Sequence, residues 1–297
     1  MDGFLNINKA IGLTSFDVIR RLKKIIPQTK LGHLGTLDPM AEGVLPVAVG
    51  FATRLIEYVA DTDKVYQAAM TLGGVSDTQD AWGHIEYQPV INLDEVRLMR
   101  LLTKYTGTIS QIPPMYSAVH HQGERLYVLA RQGITVEREA RQIEVHYLNL
   151  LGISQDEAGR PVVSLEIGCS QGSYIRTLCH DIGAELGTGA YMSALTRTRA
   201  SGFTIDQAIS LEQLHDHRNN WATWLYPVDF PLQHLPKVEL DEGQQNRIRN
   251  GNQVTVASDT PTGVIRVYDR DHNLVAIARC DRRQGSNWLQ PLKVVQR

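Results

Sequence analysis

The spacing of apolar residues changes period several times along this chain, and each change predicts an element. Phe4, Leu5 and Ile7 mark a short strand ending at Asn8-Lys9. Val18, Ile19, Leu22, Ile25 and Ile26 recur at helical spacing; Thr14 and Asp17 stand as a capping box and Pro27 as a stop. Val44 to Val49 is an apolar run of buried-strand type, Arg54 to Ala60 reads as helical, and Val65 to Gly73 reads as a further strand. Asp94 to Tyr105 predicts a helix with Leu98, Leu101, Leu102 and Tyr105 on one face. Ile143 to Ile153 and Val162 to Cys169 predict two strands joined by a turn at Asp156 to Gly159. A helix follows with Ile175, Leu178, Ile182 and Leu186 on its apolar side, then a strand over Met192 to Phe203. Between Leu211 and Leu235 helical character gives way to Pro227, Pro231 and Pro236, and a domain boundary is placed there. The short strands beyond it (Gln253 to Val256, Gly263 to Tyr268, Leu274 to Cys280, Trp288 to Val295) have the spacing of a small β-barrel. The pattern as a whole is α+β.

Composition narrows the class. The 297 residues are 42% hydrophobic and 21% charged, the profile of a soluble globular protein with one large or two unequal domains. No stretch reaches the roughly 20 apolar residues that span a bilayer, and no signal peptide is visible at the N-terminus. Cys169, Cys179 and Cys280 lack metal-ligand spacing and read as free thiols in a reducing cytoplasm. The net charge of -2 is unevenly spread: Lys9, Arg20, Arg21, Lys23, Lys24 and Lys30 face only Asp17 between Lys9 and His33. Local basic faces of this kind bind nucleic acid or serve as ordinary solvated helix surface.

Three stretches carry candidate chemistry. Gly32 to Gly43 holds three glycines around Asp38-Pro39, which places a carboxylate on a turning loop anchored by the Val44 strand. Taken alone, Asp38 reads first as a turn residue. Gln111 to Arg141 interleaves His120, His121, Arg125, Arg131, Arg138 and Arg141 with Tyr116 and Tyr127, suited to phosphates and bases or to a plain charged surface helix. Arg176 falls in the first turn of its helix, where the helix dipole disfavours a cation, so an anionic partner is expected. Asp77 and Asp80 lack the partners of a metal site and read as loop hydrogen-bonders, and His120-His121 is not a metal pair because adjacent residues do not share a face.

Together, Gly32-His33-Leu34-Gly35-Thr36-Leu37-Asp38-Pro39, Asp63-Lys64-Val65-Tyr66, Asp77-Thr78-Gln79-Asp80 with Gly83, Ile112 to Ala118, and Gly172-Ser173-Tyr174-Ile175-Arg176 resemble the TruB family of tRNA pseudouridine synthases, in the family's order and over nearly the whole chain. The resemblance implies a mixed, largely antiparallel catalytic domain over 1–230 with an RNA-contacting insertion near 111–141, and a PUA-like RNA-binding β-barrel over 235–297. It implies catalysis by Asp38, Tyr66 and Arg176, with Tyr66 stacking on the target base, Tyr174 and Leu195 lining the uridine pocket and His33 filling the space left by the extruded nucleotide. Lys9, Arg125, Arg131 and Arg141 are expected to touch RNA. The implied substrate is uridine 55 in the T-arm of tRNA, handled by a cytoplasmic monomer without guide RNA, protein partner or membrane. Two positions depart from the family pattern: Ala10 follows Lys9 where a proline is usual, and His120 stands where a lysine is common.

The chemistry suits these residues. Uridine to pseudouridine is an isomerisation in which the base leaves C1′ and rejoins through C5, so no cofactor or metal is needed; the chain has no Rossmann fingerprint, P-loop or zinc spacing. An ionised carboxylate serves at the sugar carbon, and Arg176 paired with Asp38 is expected to hold its pKa down by about 1–3 units. Two alternatives stand beside this reading: an RNA-binding or RNA-folding protein with incidental catalysis, and an aspartate-dependent glycosidase, for which Glu42, read as a turn residue, is the nearest second acid.

Overall fold

Ten strands that alternate or run apolar close into one mixed sheet with helices against it, as the computed structural model shows for residues 1–60, 64–89, 93–283 and 285–295. Asp63, part of one motif above, lies outside the described residues. In chain order the strands are β1 (Gly3–Lys9), β2 (Leu31–His33), β3 (Glu42–Val49), β4 (Lys64–Leu72), β5 (Gly107–Gln111), β6 (Arg141–Gln155), β7 (Pro161–Cys169), β8 (Ala190–Ala200), β9 (Phe203–Thr204) and β10 (Ile209–Ser210). The helices are α1 (Ser15–Ile25), α2 (Glu95–Lys104), α3 (Leu126–Arg131), α4 (Ile175–Leu186) and α5 (Leu211–Asp216). The sheet order is β10-β1-β3-β8-β4-β7-β6-β5, with β2 on β3 and β9 on β8. Pairings are antiparallel except β1–β10 and β3–β8.

The β3–β8 junction sets the centre of the molecule, because it joins segments about 150 residues apart: Thr196 faces Glu42 and Arg197 faces Gly43. Gly43 is required there. Its φ is +102°, and an added Cβ would lie 2.3 Å from the Arg197 carbonyl oxygen. Glu42 is therefore a strand residue, its carboxylate accepting from Thr196 Oγ1 at 3.1 Å, and not a turn residue.

Helix α1 starts where the sequence indicates. Thr14 and Asp17 form the reciprocal capping box, with Lys23 and Lys24 in the last turn, and Val18, Ile19 and Leu22 are buried. A cap of this kind contributes ~1 kcal/mol, while each buried aliphatic side chain contributes roughly 1.5–3 kcal/mol. Burial against the sheet therefore dominates the helix's stability. The Arg54 to Ala60 region forms two short 3-10 turns, Gly50–Arg54 and Ile56–Tyr58, in place of the expected helix.

The C-terminal segment forms a separate five-stranded sheet of β11 (Lys237–Glu239), β12 (Val254–Val256), β13 (Gly263–Tyr268), β14 (Leu274–Arg283) and β15 (Ser286–Val294), in the order β11-β13-β14-β15-β12. Its own apolar cluster includes Ile248, Ile265, Val267, Ala278 and Leu289. Helix α6 (Glu242–Arg249) has no counterpart in the sequence reading. It is polar except for Ile248, so no apolar stripe announces it, and the Asp241–Gln244 capping box is its main local signal. The three cysteines are buried, and none is in a disulfide among the described residues.

Candidate active site

The loop carrying Asp38 is fixed from three sides. Ser15, at the start of α1, accepts from the Leu37 amide at 2.9 Å through its hydroxyl oxygen, which lies 3.2 Å from the Leu37 carbonyl. The Gly12 amide donates to the Pro39 carbonyl at 2.8 Å, and the Ala41 amide closes a turn onto the Asp38 carbonyl at 3.0 Å. From below, Arg197 donates to the carbonyls of Gly35, Thr36 and Val44. A carboxylate on a glycine-rich turn is thus held as firmly as one on a strand.

Arg176 faces it from the first turn of α4. Its Nη2 lies 2.9 Å from Asp38 Oδ2 and donates to the Tyr116 carbonyl at 2.7 Å, while Nη1 lies 3.8 Å from Asp80 Oδ2. The cation misplaced against the helix dipole has its anion, as expected from the sequence. The Tyr116 contact also ties the 111–141 segment to the same guanidinium. Asp80 is buried, and its Oδ1 accepts from Thr78 Oγ1 at 2.7 Å and the Trp82 amide at 3.0 Å. It is the loop hydrogen-bonder that the sequence suggested; its position opposite Arg176 has no signal in residue spacing.

The expected depression of the Asp38 pKa is not what the surroundings produce. Dense walls push the carboxyl above its ordinary value; Arg176 and then Lys9 oppose that push and Asp80 adds to it. The side chain keeps 36% of its surface open to the cleft, so a substrate closing over it would strengthen the desolvation. Arg176 accordingly acts as an offset to burial.

Tyr66 sits on β4, 8% exposed, directly across from Arg197 on β8. Burial raises the phenol pKa, and Arg197 opposes the rise. Leu195 lies two residues before Arg197, opposite Ala68 and buried. Tyr174 is the residue before α4; its ring lies 5.9 Å from the Arg176 guanidinium, and its backbone is gripped by Gln111, which donates to the Tyr174 carbonyl at 3.0 Å and accepts from its amide at 2.8 Å. His33 ends β2, half-buried. Burial and then Arg197 lower its pKa, so the imidazole is neutral at pH 7, and its Nδ1 is buried without a hydrogen-bond partner.

Among the residues expected to touch RNA, Arg125, Arg131 and Arg141 are exposed. Arg125 stands opposite His120 in a two-residue ribbon, Arg131 lies 5.5 Å from the Tyr127 ring centroid, and Arg141 begins β6 opposite Gln111. Lys9 is different. It is completely buried, and its ammonium donates to the carbonyls of Ala10 at 3.1 Å and Leu13 at 2.7 Å. It supports the chain leading into α1 from inside and presents no surface to a polyanion. Burial lowers its pKa to about 8, with Asp38 opposing the fall. Strand β1 stays regular to its end, Lys9 pairing with Gly43 despite the alanine at position 10.

Arg197 and Gln111 are the site residues that sequence reasoning missed. Both lie inside or at the end of strands, where a polar residue ordinarily faces water.

Asp38 paired with Arg176 and the buried Tyr66 belong to a mixed-sheet unit joined to a second small β module, a fold that solved structures share. A crystal structure of a Cbf5-Nop10-Gar1 complex matches with a TM-score of 0.74 at 28% identity, covering 98% of this chain and 84% of that one. The structure of an H/ACA RNP bound to a substrate RNA containing 2′-deoxyuridine also gives 0.74, at 25% identity over 99% and 85%. Residues 23–175 match the model of the TruB family pseudouridylate synthase N-terminal domain, 176–233 that of the tRNA pseudouridylate synthase B C-terminal domain, and 236–294 that of the pseudouridine synthase II TruB C-terminal domain. A tRNA pseudouridine synthase B from Syntrophomonas wolfei subsp. wolfei is 50% identical over 295 residues, covering 99% of this chain and 98% of the relative. The chain belongs to the TruB family of pseudouridine synthases, isomerases that act on tRNA.

Proposed function

We propose that this protein isomerises uridine 55 in the T-loop of tRNA, with Asp38 as the reacting carboxylate. The Arg176–Asp38 ion pair at 2.9 Å, with the Tyr174 ring 5.9 Å from the same guanidinium and Tyr66 and Leu195 buried on the sheet, carries this reading. The C1′–N1 bond breaks, the base turns, and C5 joins C1′; the C5 proton is released and N1 gains one, so nothing is consumed and no cofactor enters. Asp38 meets the electron-poor sugar carbon or the base itself, and Arg176 keeps it ionised against burial.

The target base is stacked inside the T-loop and must be flipped out, at a cost on the order of a few kcal/mol. Stacking on Tyr66 returns about 1–3 kcal/mol of this. The neutral His33 imidazole, with one nitrogen unpartnered, fills the vacated space in the loop. Arg125, Arg131 and Arg141 meet the RNA backbone from the 111–141 segment, which is coupled to the catalytic arginine through Tyr116. Residues 1–230 then form the catalytic domain and 235–297 a PUA-like module that adds RNA contact. We propose that the chain acts in the cytoplasm as a monomer without guide RNA or protein partner; its likeness to a relative named tRNA pseudouridine synthase B supports action on tRNA.

The test is an unmodified tRNA transcript incubated with the protein and mapped for pseudouridine at every position. Modification confined to position 55 supports the assignment. Modification elsewhere, or none, overturns it.

A further inference from the structure

Arg197 is completely buried, and no carboxylate forms an ion pair with it among the described residues. An isolated buried charge is costly unless its donors are all well used. Here they are spent on one purpose. Nε donates to the Val44 carbonyl at 2.8 Å, Nη1 to Thr36 at 3.4 Å and Nη2 to Gly35 at 3.2 Å, and Arg197 stands directly across from Tyr66 in the β4–β8 pairing. Gly35 and Thr36 are the arm of the loop leading to Asp38, Val44 lies in the strand leading away from it, and Tyr66 is on the neighbouring strand. The backbone of Arg197 is seated against Gly43, at the parallel junction of the sheet.

We propose that Arg197 is a positioning residue, tying the Asp38 loop to the strand pairing that carries Tyr66 so that carboxylate and ring are set as one unit before RNA enters. The proposal rests on the reading of Asp38 and Tyr66 as the reacting pair. The planar fork is essential, because an ammonium is a single point charge and cannot reach three carbonyls together. A misplacement of about 1 Å at a reacting group costs about 100-fold in rate, so the loss should fall on turnover and leave RNA capture, made elsewhere, intact.

The experiment compares the parent with Arg197→Lys and Arg197→Met in turnover of a T-arm RNA, RNA affinity, and hydrogen exchange of the Gly35 to Asp38 amides. The expected result is a kcat lower by about 100-fold in Arg197→Met, with KM and RNA affinity unchanged and faster exchange at the loop; Arg197→Lys, which keeps the charge, falls between. Unchanged kcat in both variants overturns the proposal. So does a parallel loss of kcat and RNA affinity, or failure of both variants to fold, either of which makes Arg197 a general structural residue. A parent inactive on the RNA removes the reading of the reacting pair, and loop exchange alone then decides: acceleration in the variants supports the tie between Arg197 and the loop, and unchanged exchange overturns it.

Discussion

Arg176 Nη2 stands 2.9 Å from Asp38 Oδ2 and 2.7 Å from the Tyr116 carbonyl, so one guanidinium joins the carboxylate of the central loop to the segment expected to grip RNA. Charge-assisted hydrogen bonds of this kind contribute roughly 1.5–3 kcal/mol. Arg176→Lys cannot keep both in the same geometry, and its single-turnover rate should fall at least about tenfold.

The same pair has a pH signature. Burial raises the Asp38 pKa and Arg176 opposes the rise. On the proposed mechanism the reactive form is the ionised carboxylate, so acidification removes it at a higher pH than for an ordinary aspartate. In Arg176→Met the opposition is gone, and the acid limb of the single-turnover rate should move to still higher pH. A limb that stays in place would show that Arg176 does not act on the carboxylate.

Tyr66→Leu should bind tRNA almost normally and react slowly, because the ring is buried and, on the proposed reading, meets only the flipped base. The lost stacking of about 1–3 kcal/mol belongs to the flipped state. Filter binding set beside single-turnover rates checks this; equal losses in both would place Tyr66 outside the pocket.

Lys9 makes stability pH-dependent in an unusual direction. Its pKa is about 8 in the folded protein against an ordinary 10.5. Between these values the unfolded chain binds more protons, so stability rises with pH across that window; below about 8 both states hold the proton and the burial cost is constant. Denaturant titrations of the parent and Lys9→Met should therefore diverge in the parent's favour as pH rises from about 8 toward 10.5. Parallel curves would mean that the ammonium is not desolvated.

Gly43→Ala should destabilise the fold by about 2 kcal/mol or more. The position has φ +102°, and the new methyl would lie 2.3 Å from the Arg197 carbonyl oxygen, itself backbone that cannot swing away. Thermal unfolding reads this directly.

Local signals in the sequence account for much of this. The capping box of α1, the strand of Tyr66 and the arginine set against its helix dipole were all legible because neighbours in sequence decide them. Arg197 was not, because its partners Gly35, Thr36 and Val44 lie more than 150 residues away and meet it only through the parallel β3–β8 junction. Lys9 looked like a surface cation at a strand end for the same reason: its burial depends on what α1 and the Asp38 loop place over it. The direction of the Asp38 pKa was misjudged because the sequence reveals a neighbouring charge more readily than the density of the walls around a carboxylate.

The most direct measurement follows tritium release from uridine C5 in an unmodified T-arm RNA, with Asp38→Asn beside the parent. Asparagine keeps the shape of the side chain and removes its charge, while RNA binding, measured in parallel, should persist. Release by the parent that disappears in Asp38→Asn is the expected result. Equal release by both proteins, or none from a parent that binds the RNA tightly, would contradict the assignment of Asp38 as the reacting group.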